Sequence, residues 1–465
     1  MKILLVRVKK NRSMFLHETN ITGIYPPLGL AYIASILKNA GYNVEILDLE
    51  ISNLKTILGK NVPDVILFTA TTLIWPDVVW TASLMKQHFA DVLIGVGGPH
   101  VSAYPALSLA NEVIDFGIYG EGEKTILEVL ERIKQKQGLD DVKGCVFKKN
   151  GKTAVNPPRL EIEDLDSIPF PAIDLLPYRK YFAFTVKHPF FTIVTSRGCP
   201  FKCKFCYQGY LGKYRFRSPE NVVEEIEIYL KKYGIKEIII FDETFAVEKK
   251  RVLRICSLIN KKKLKFMWDV RTRIDLLDEE ILQSLKRAGC YRLNFGIELG
   301  DQKILDKMDK GFSLKNVKEK VKQAKKIGFK LRGYFMLAYP GETYESILKT
   351  INLAKTLPLD WASFTITIGL PETEIYKRAL EEGYFHVDYW KEYTKGNILN
   401  TWPNFIPDGL KEEDLYRLKR KAYREFYFRS GIIWSMTREL KLVSLVKNSA
   451  QVVRLLPHAC RSLVK

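Results

Sequence analysis

Short apolar runs of strand length, each followed by a stretch of helical periodicity, alternate along most of this chain, and that alternation constrains its fold more than any other feature. Residues 3–8, 43–47, 65–68, 92–96 and 116–119 read as strands, with 28–39, 78–89 and 123–134 as the helices between them. Strands alternating with helices predict an α/β, doubly wound parallel sheet of the Rossmann-like kind, whose ligands sit beyond the carboxyl ends of the strands. A first domain is therefore expected over residues 1–140.

The pattern then breaks. Asn156-Pro157-Pro158 and Ser167-Ile168-Pro169-Phe170-Pro171 interrupt regular structure, so 141–185 reads as a linker. Alternation resumes with strands at 191–195, 237–241, 266–270, 292–297, 330–337 and 363–368, and with helices such as 222–232, 279–288, 314–327 and 344–357. Six such units predict a partial (β/α)6 barrel over 186–400, with function on the loops that follow its strands. At 465 residues, 46% apolar and 27% charged, the chain has globular composition and is too long for one ordinary core.

The first barrel loop is expected to carry chemistry. Thr195-Ser196-Arg197-Gly198-Cys199-Pro200-Phe201-Lys202-Cys203-Lys204-Phe205-Cys206 places three thiols within eight residues, directly after a strand. The chain has seven cysteines (145, 199, 203, 206, 256, 290, 460), an odd number with no export signal, which argues against a disulfide framework and leaves thiols for metal. Thiolates are the usual ligands of iron–sulfur clusters, and three of them leave one iron open. The alternative is structural zinc, which wants a fourth ligand; the nearest are His188, before the strand, and Cys256, a helix away.

Three cysteines spaced by three and two residues, with the aromatic Phe205 before the last, resemble the signature of the radical S-adenosylmethionine (SAM) superfamily. The resemblance implies a [4Fe-4S] cluster on Cys199, Cys203 and Cys206, whose open iron binds the amino and carboxylate groups of SAM. One electron from a flavodoxin- or ferredoxin-type donor then cleaves a C–S bond, and the resulting 5′-deoxyadenosyl radical takes hydrogen from an unactivated carbon. Asp242 in Phe241-Asp242-Glu243-Thr244-Phe245, Glu298 in Asn294-Phe295-Gly296-Ile297-Glu298, and Arg271 are similar to the family's SAM-binding positions, as is Phe205. Glu342, in Tyr339-Pro340-Gly341-Glu342-Thr343, and Asp242 are equally well read as surface or capping residues. The family's last-loop element, usually Pro-Gly-Thr, departs here to Pro371-Glu372-Thr373.

In the first domain, Gly95-Val96-Gly97-Gly98-Pro99-His100 and Tyr119-Gly120-Glu121-Gly122-Glu123 put glycines at strand ends, where backbone can approach a ligand closely. Together with Pro26-Pro27-Leu28-Gly29 they resemble the cobalamin-binding domain of the class B radical SAM methylases. The resemblance implies cobalamin contacts from Pro27, Gly97, Gly98, Pro99, His100, Glu121 and Gly122. The chain has no Asp-x-His-x-x-Gly loop, so cobalamin is expected to bind without a histidine on cobalt, and His100 is expected to be a loop residue near the cofactor. That arrangement suits C-methylation, with methylcobalamin recharged from a second SAM. A radical SAM oxidative cyclase or C–C coupling enzyme is the alternative, and a cobalamin- or iron-sulfur-sensing module without turnover is the reading outside catalysis.

Half of the net charge of +20 lies in the tail, where twelve Lys or Arg from Arg417 onward face only Glu425 and Glu439. The spacing of Leu415, Leu418, Ala422 and Phe426 predicts a helix, within a helical basic region over 401–465. Either it packs on the barrel with a solvated basic face, or the tail, including 432–434 and 440–456, lies on a membrane surface. The second reading would suit a lipid or isoprenoid-like substrate, and a soluble small molecule the first. No recognised nucleic-acid-binding module accompanies the charge, which sets nucleic acid aside. No apolar run approaches the roughly 20 residues of a membrane span, and the N-terminal run is too short for a signal peptide. The expected location is cytoplasmic, with or without membrane association.

Overall fold

The structure is a computed structural model that describes residues 1–10, 23–54, 62–183, 185–207, 212–397 and 401–429. The chain forms two compact units. The first joins Met1–Pro200, Tyr207–Ile238 and Leu370–Trp402; the second joins Phe201–Cys206, Ile239–Gly369 and the chain from Pro403.

The first unit contains a seven-stranded sheet built from β1 (Lys2–Arg7), β2 (Asn43–Asp48), β3 (Val65–Thr69), β4 (Leu93–Gly97), β5 (Phe116–Ile118), β6 (Cys145–Lys149) and β7 (Lys152–Val155). Its order is β2-β1-β3-β4-β5-β6-β7. The first five strands are parallel, and the winding reverses at β1, which pairs with both β2 and β3. Such a reversal opens a crevice at the carboxyl ends of the strands. Ile3, Leu5, Val65, Leu67 and Phe116 share one core with Leu30 and Ala34 of helix α1 (Leu28–Asn39). Helix α2 (Trp75–His88) starts three residues earlier than its periodicity suggests, because Pro76 is well suited to a first turn that has no hydrogen bond to lose.

The sheet continues past residue 140. β6 and β7 are antiparallel, joined by Asn150-Gly151, whose φ values of 51° and 74° form the left-handed pair that matches strand twist. Part of the expected linker is therefore sheet. Beyond the hairpin, the prolines do enforce irregular chain, with short 3₁₀ turns at Leu165–Ser167, Ile173–Leu175 and Tyr178–Lys180.

The barrel's strand–helix units begin with β8 (Phe190–Ile193) and β11 (Glu237–Ile240); between them lie the short strands β9 (Ser196–Arg197) and β10 (Arg215–Phe216) and helix α3 (Pro219–Tyr233). In the second unit, β12 (Met267–Arg271), β13 (Cys290–Glu298), β14 (Lys330–Leu337) and β15 (Trp361–Ile366) pair in parallel in chain order. Helices alternate with them, as at Glu279–Arg287, Leu314–Ile327 and Tyr344–Thr356.

Glu412–Tyr427 is the expected tail helix, and its buried residues are Leu415, Leu418, Ala422 and Phe426, the four that its spacing singles out. It packs on β15, the last strand of its sheet. Tyr427 Oη donates to the Ala362 carbonyl at 2.8 Å and accepts from its N–H at 3.3 Å; Tyr423 Oη accepts from the Phe364 N–H at 3.2 Å. Four helical residues span about 6 Å and two strand residues about 6.6 Å, so one helix face can match one strand edge. The two hydroxyls thereby cap a row of backbone groups that would otherwise offer pairing to another chain. The rest of the basic tail, 430–465, with its expected amphipathic stretches, lies outside the described residues. Among the described residues no helix is long and apolar enough to cross a membrane.

Candidate iron–sulfur and cofactor site

The cysteine loop leaves and returns along a two-stranded ribbon, in which Ser196 pairs with Phe216 and Arg197 with Arg215. Gly198, at φ 82°, turns the chain out of the ribbon. Cys203 is buried, and Cys199 and Cys206 are half-buried. Within the second unit, the Cys206 N–H donates to the Cys203 carbonyl at 3.0 Å, and the Lys204 N–H to that of Met308 at 3.2 Å.

Two buried cations that the motif does not reveal meet this loop. The Arg273 guanidinium lies 3.9 Å above the Phe201 ring and directs Nη1 to within 3.9 Å of Cys203 Sγ. Bonds from its Nε to Asp275 at 3.1 Å and from its Nη2 to the Lys310 carbonyl at 2.5 Å fix that direction. Lys310 Nζ bonds Glu298 Oε1 at 2.9 Å and lies 5.5 Å from the Phe205 ring centre. Burial pulls the Lys310 ammonium down, but Glu298 and Cys203 outweigh it, and the group ends above its ordinary value. Glu298 ends β13 with φ 69°, a conformation that a non-glycine residue keeps only where its surroundings enforce it. Cys203, Phe205 and Glu298, far apart in sequence, are thus gathered around Arg273 and Lys310. Lys310 sits in a tight turn, Asp309-Lys310-Gly311, with left-handed residues on both sides of the lysine.

Arg271 and Asp242 are placed differently. The Arg271 side chain is exposed, with its guanidinium 3.8 Å over Phe241; Asp242 is buried just beyond β11. Glu342 caps: it accepts from the Tyr339 N–H at 3.0 Å and from Ser346 Oγ at 3.1 Å, and burial raises its pKa to about 7. In the departed last-loop element, Thr373 is buried and donates to the Leu370 carbonyl at 2.8 Å, while Glu372 pairs with Lys377.

The donor chemistry suits a thiolate cluster. Cys145 and Cys256 are core thiols that burial pushes up to about 12, and burial raises Cys290 as well, so none is a ready thiolate. The two residues considered as a fourth zinc ligand are engaged elsewhere. His188 stacks on Phe182 and meets the Ala183 carbonyl at 3.3 Å, and Cys256 faces the core from its helix.

At the carboxyl edge of the first sheet the glycines divide into two kinds. A Cβ on Gly98, at φ 104°, would come within 2.8 Å of the Ala70 carbonyl, so that glycine serves the protein's own packing. At Gly97 and Gly122 a Cβ would make only ordinary contacts, and only at Gly120 would it meet open space. Pro27 precedes α1, and Pro99 opens the short helix Pro99–Ala103.

Two of the expected cofactor contacts bond within the protein. His100 is on that helix, not a loop, and is fully buried: its ring lies 4.3 Å from that of Trp75, with Thr72 Oγ1 at 3.3 Å and Thr394 Oγ1 at 3.5 Å. Glu121 spends its carboxylate on Arg197, Arg215 and the Ile162 N–H.

Residues 193–354 match the model of the radical SAM superfamily, and residues 19–130 that of the B12-binding domain. An uncharacterized methyltransferase of Pyrococcus horikoshii is 36% identical over 441 residues, covering 93% of this chain and 94% of its own. The chain belongs to the cobalamin-dependent radical SAM enzymes. An anaerobic magnesium-protoporphyrin IX monomethyl ester cyclase of Rubrivivax gelatinosus is 27% identical over 442 residues, covering 91% of this chain and 78% of its own. The radical SAM methyltransferase TsrM of Kitasatospora setae, solved with cobalamin and a [4Fe-4S] cluster, shares the fold: TM-score 0.67, 18% identity, covering 82% of this chain and 78% of that one. As a radical SAM enzyme the protein requires a reductant and a substrate.

Proposed function

We propose that this radical SAM enzyme methylates an unactivated carbon. The observation that carries the reading is His100: its ring is locked in the core, so the B12-binding domain does not present it as a base to cobalt, as suits a cobalamin that must release a methyl group. The Pyrococcus horikoshii relative, matched over nearly its whole length, bears a methyltransferase name, which supports the same reading. When bound, the cluster supplies the electron that turns SAM into a radical source, and cobalamin supplies a transferable methyl group.

The chain's own residues hold and screen these groups. Cys199, Cys203 and Cys206 would ligate the cluster. Phe205, Glu298, Asp242 and Arg271 would contact SAM, with Lys310 orienting the Glu298 carboxylate. Pro27, Gly97, Gly98, Pro99 and Gly122 would border cobalamin. The electron would come from a flavodoxin or ferredoxin. A lipid or isoprenoid-like substrate, met by peripheral membrane contact of the basic tail, fits the charge distribution.

A second reading, oxidative cyclisation or coupling, is favoured by the similarity to the cyclase of Rubrivivax gelatinosus. Anaerobic assay of reduced, reconstituted protein with lipid extracts separates the two. Methyl transfer yields 5′-deoxyadenosine together with S-adenosylhomocysteine and a product heavier by one methyl group. Cyclisation or coupling yields a product lighter by two hydrogens and no S-adenosylhomocysteine. Absence of 5′-deoxyadenosine in every extract, with Cys203→Ala indistinguishable from wild type, would overturn both.

A further inference from the structure

We propose that Glu121 is a positioning residue whose single carboxylate fixes both flanks of the cysteine loop to the glycine loop that follows β5. The cysteine loop spans 198–214, and its flanks are Arg197 on one side and Arg215 on the other. Arg197 Nη1 reaches Glu121 Oε1 at 2.9 Å, and Arg215 Nη1 reaches Oε2 at 3.1 Å. Each carboxylate oxygen therefore holds one flank.

The surroundings fix that carboxylate in turn. Oε2 also accepts the Ile162 N–H at 2.6 Å, and Arg215 Nη1 donates to the Ile162 carbonyl at 2.7 Å, which closes a small ring of bonds. Glu123 takes the other end of Arg197, Nη2 to Oε1 at 2.5 Å. Arg215 is buried, with 7% of its surface exposed, and its Nε also lies 3.5 Å from Glu161 Oε2, so Glu121 is the nearer of its two carboxylate partners. Burial by itself would raise the Glu121 carboxyl, but the arginines and the Ile162 N–H bring it below its ordinary value.

The ribbon needs such an anchor. It consists of two residue pairs, and a two-stranded ribbon is marginal in water even when longer. Glu121 lies between Gly120, which faces open space, and Gly122. One side chain thus ties the proposed cobalamin edge to the stem of the proposed cluster loop, and displacement of either loop is transmitted to the other through two charged bonds.

Hydrogen exchange on the protein before reconstitution tests this without a cofactor. In Glu121→Gln one carboxylate oxygen becomes an amide NH2 that faces an arginine, so one flank loses a charged bond and is held more weakly. Exchange across 195–217 should rise about tenfold, the scale expected for losing a charge-assisted bond. Arg197→Gln should do the same, and the double variant should add little to either, because both remove one interaction. After reconstitution, iron should pass to a chelator about tenfold faster from each variant, again on the scale of one charge-assisted bond, with cobalamin affinity unchanged. Exchange unchanged in either variant, or effects that add in the double variant, would overturn the proposal. So would weakened cobalamin binding with normal exchange, which would make Glu121 a cofactor contact. If Glu121→Gln does not fold, Arg197→Gln with and without Glu123→Gln decides: both Arg197 variants should loosen 195–217, whereas Glu123→Gln alone should not.

Discussion

Acid should destabilise the first unit through one imidazole. His100 is fully buried between Trp75, Tyr104 and Thr394, and burial pulls its pKa from 6.5 to about 3. Above pH 6.5 the ring is neutral in both the folded and the unfolded chain and gives no pH dependence. Below that, the unfolded chain takes up a proton that the folded chain refuses, so stability falls by about 1.4 kcal/mol per pH unit until the pH nears 3. The accumulated loss is about 2 kcal/mol at pH 5 and about 3.4 kcal/mol at pH 4. His100→Gln keeps polar atoms near Thr72 and Thr394 but does not titrate. Urea unfolding followed by tryptophan fluorescence, for which Trp75 is an adjacent reporter, should show the variant gaining about 2 kcal/mol on wild type between pH 7 and pH 5. Parallel pH profiles for the two proteins would refute the burial of a neutral ring. The same pair of proteins checks the cofactor reading, because a core ring should leave cobalamin affinity at pH 7 unchanged. A loss of about tenfold or more, the equivalent of 1.4 kcal/mol, would return His100 to the cofactor site.

Lys310→Met should destabilise the second unit by about 3–5 kcal/mol, because it leaves the Glu298 carboxylate buried without its partner. Lys310→Met combined with Glu298→Gln should recover most of that loss in the same denaturation assay; no recovery would show that Lys310 acts chiefly by packing on Phe205 and Phe312. Tyr427→Phe should cost about 1–3 kcal/mol by leaving the Ala362 backbone unmatched at the sheet edge. Hydrogen exchange at the Ala362 amide should accelerate in the same variant.

Where burial follows periodicity, the sequence was legible. Leu28–Asn39 and Leu314–Ile327 form as their spacing predicts, and Leu415, Leu418, Ala422 and Phe426 are the buried face of their helix, because in each case one apolar stripe must find one core. The hairpin at 145–155 was missed although Asn150-Gly151 is a strong turn signal. The prolines just beyond it drew the whole stretch into a linker. The three cysteines were legible as a candidate site because their close spacing leaves a pattern in the chain itself.

Charged residues recruited from a distance leave no such pattern. Lys310 and Arg273 are two among 73 Lys and Arg, and nothing in their spacing marks them as buried. Three-dimensional pairing distinguishes them: Arg273 is held by Asp275 and the Lys310 carbonyl, and Lys310 by Glu298. Glu121 shows the converse. Its glycine neighbours and its place after a strand made it look like a ligand contact, yet its acceptors are taken by arginines 76 and 94 residues away. A carboxylate between two glycines at a strand end is as well suited to gripping a distant loop as to meeting a ligand, since the flexible backbone that lets a cofactor approach also lets a guanidinium approach. Which of the two occurs depends on whether arginines converge there, and in this chain Arg197 and Arg215 do, because the ribbon that delivers the cysteines places them side by side.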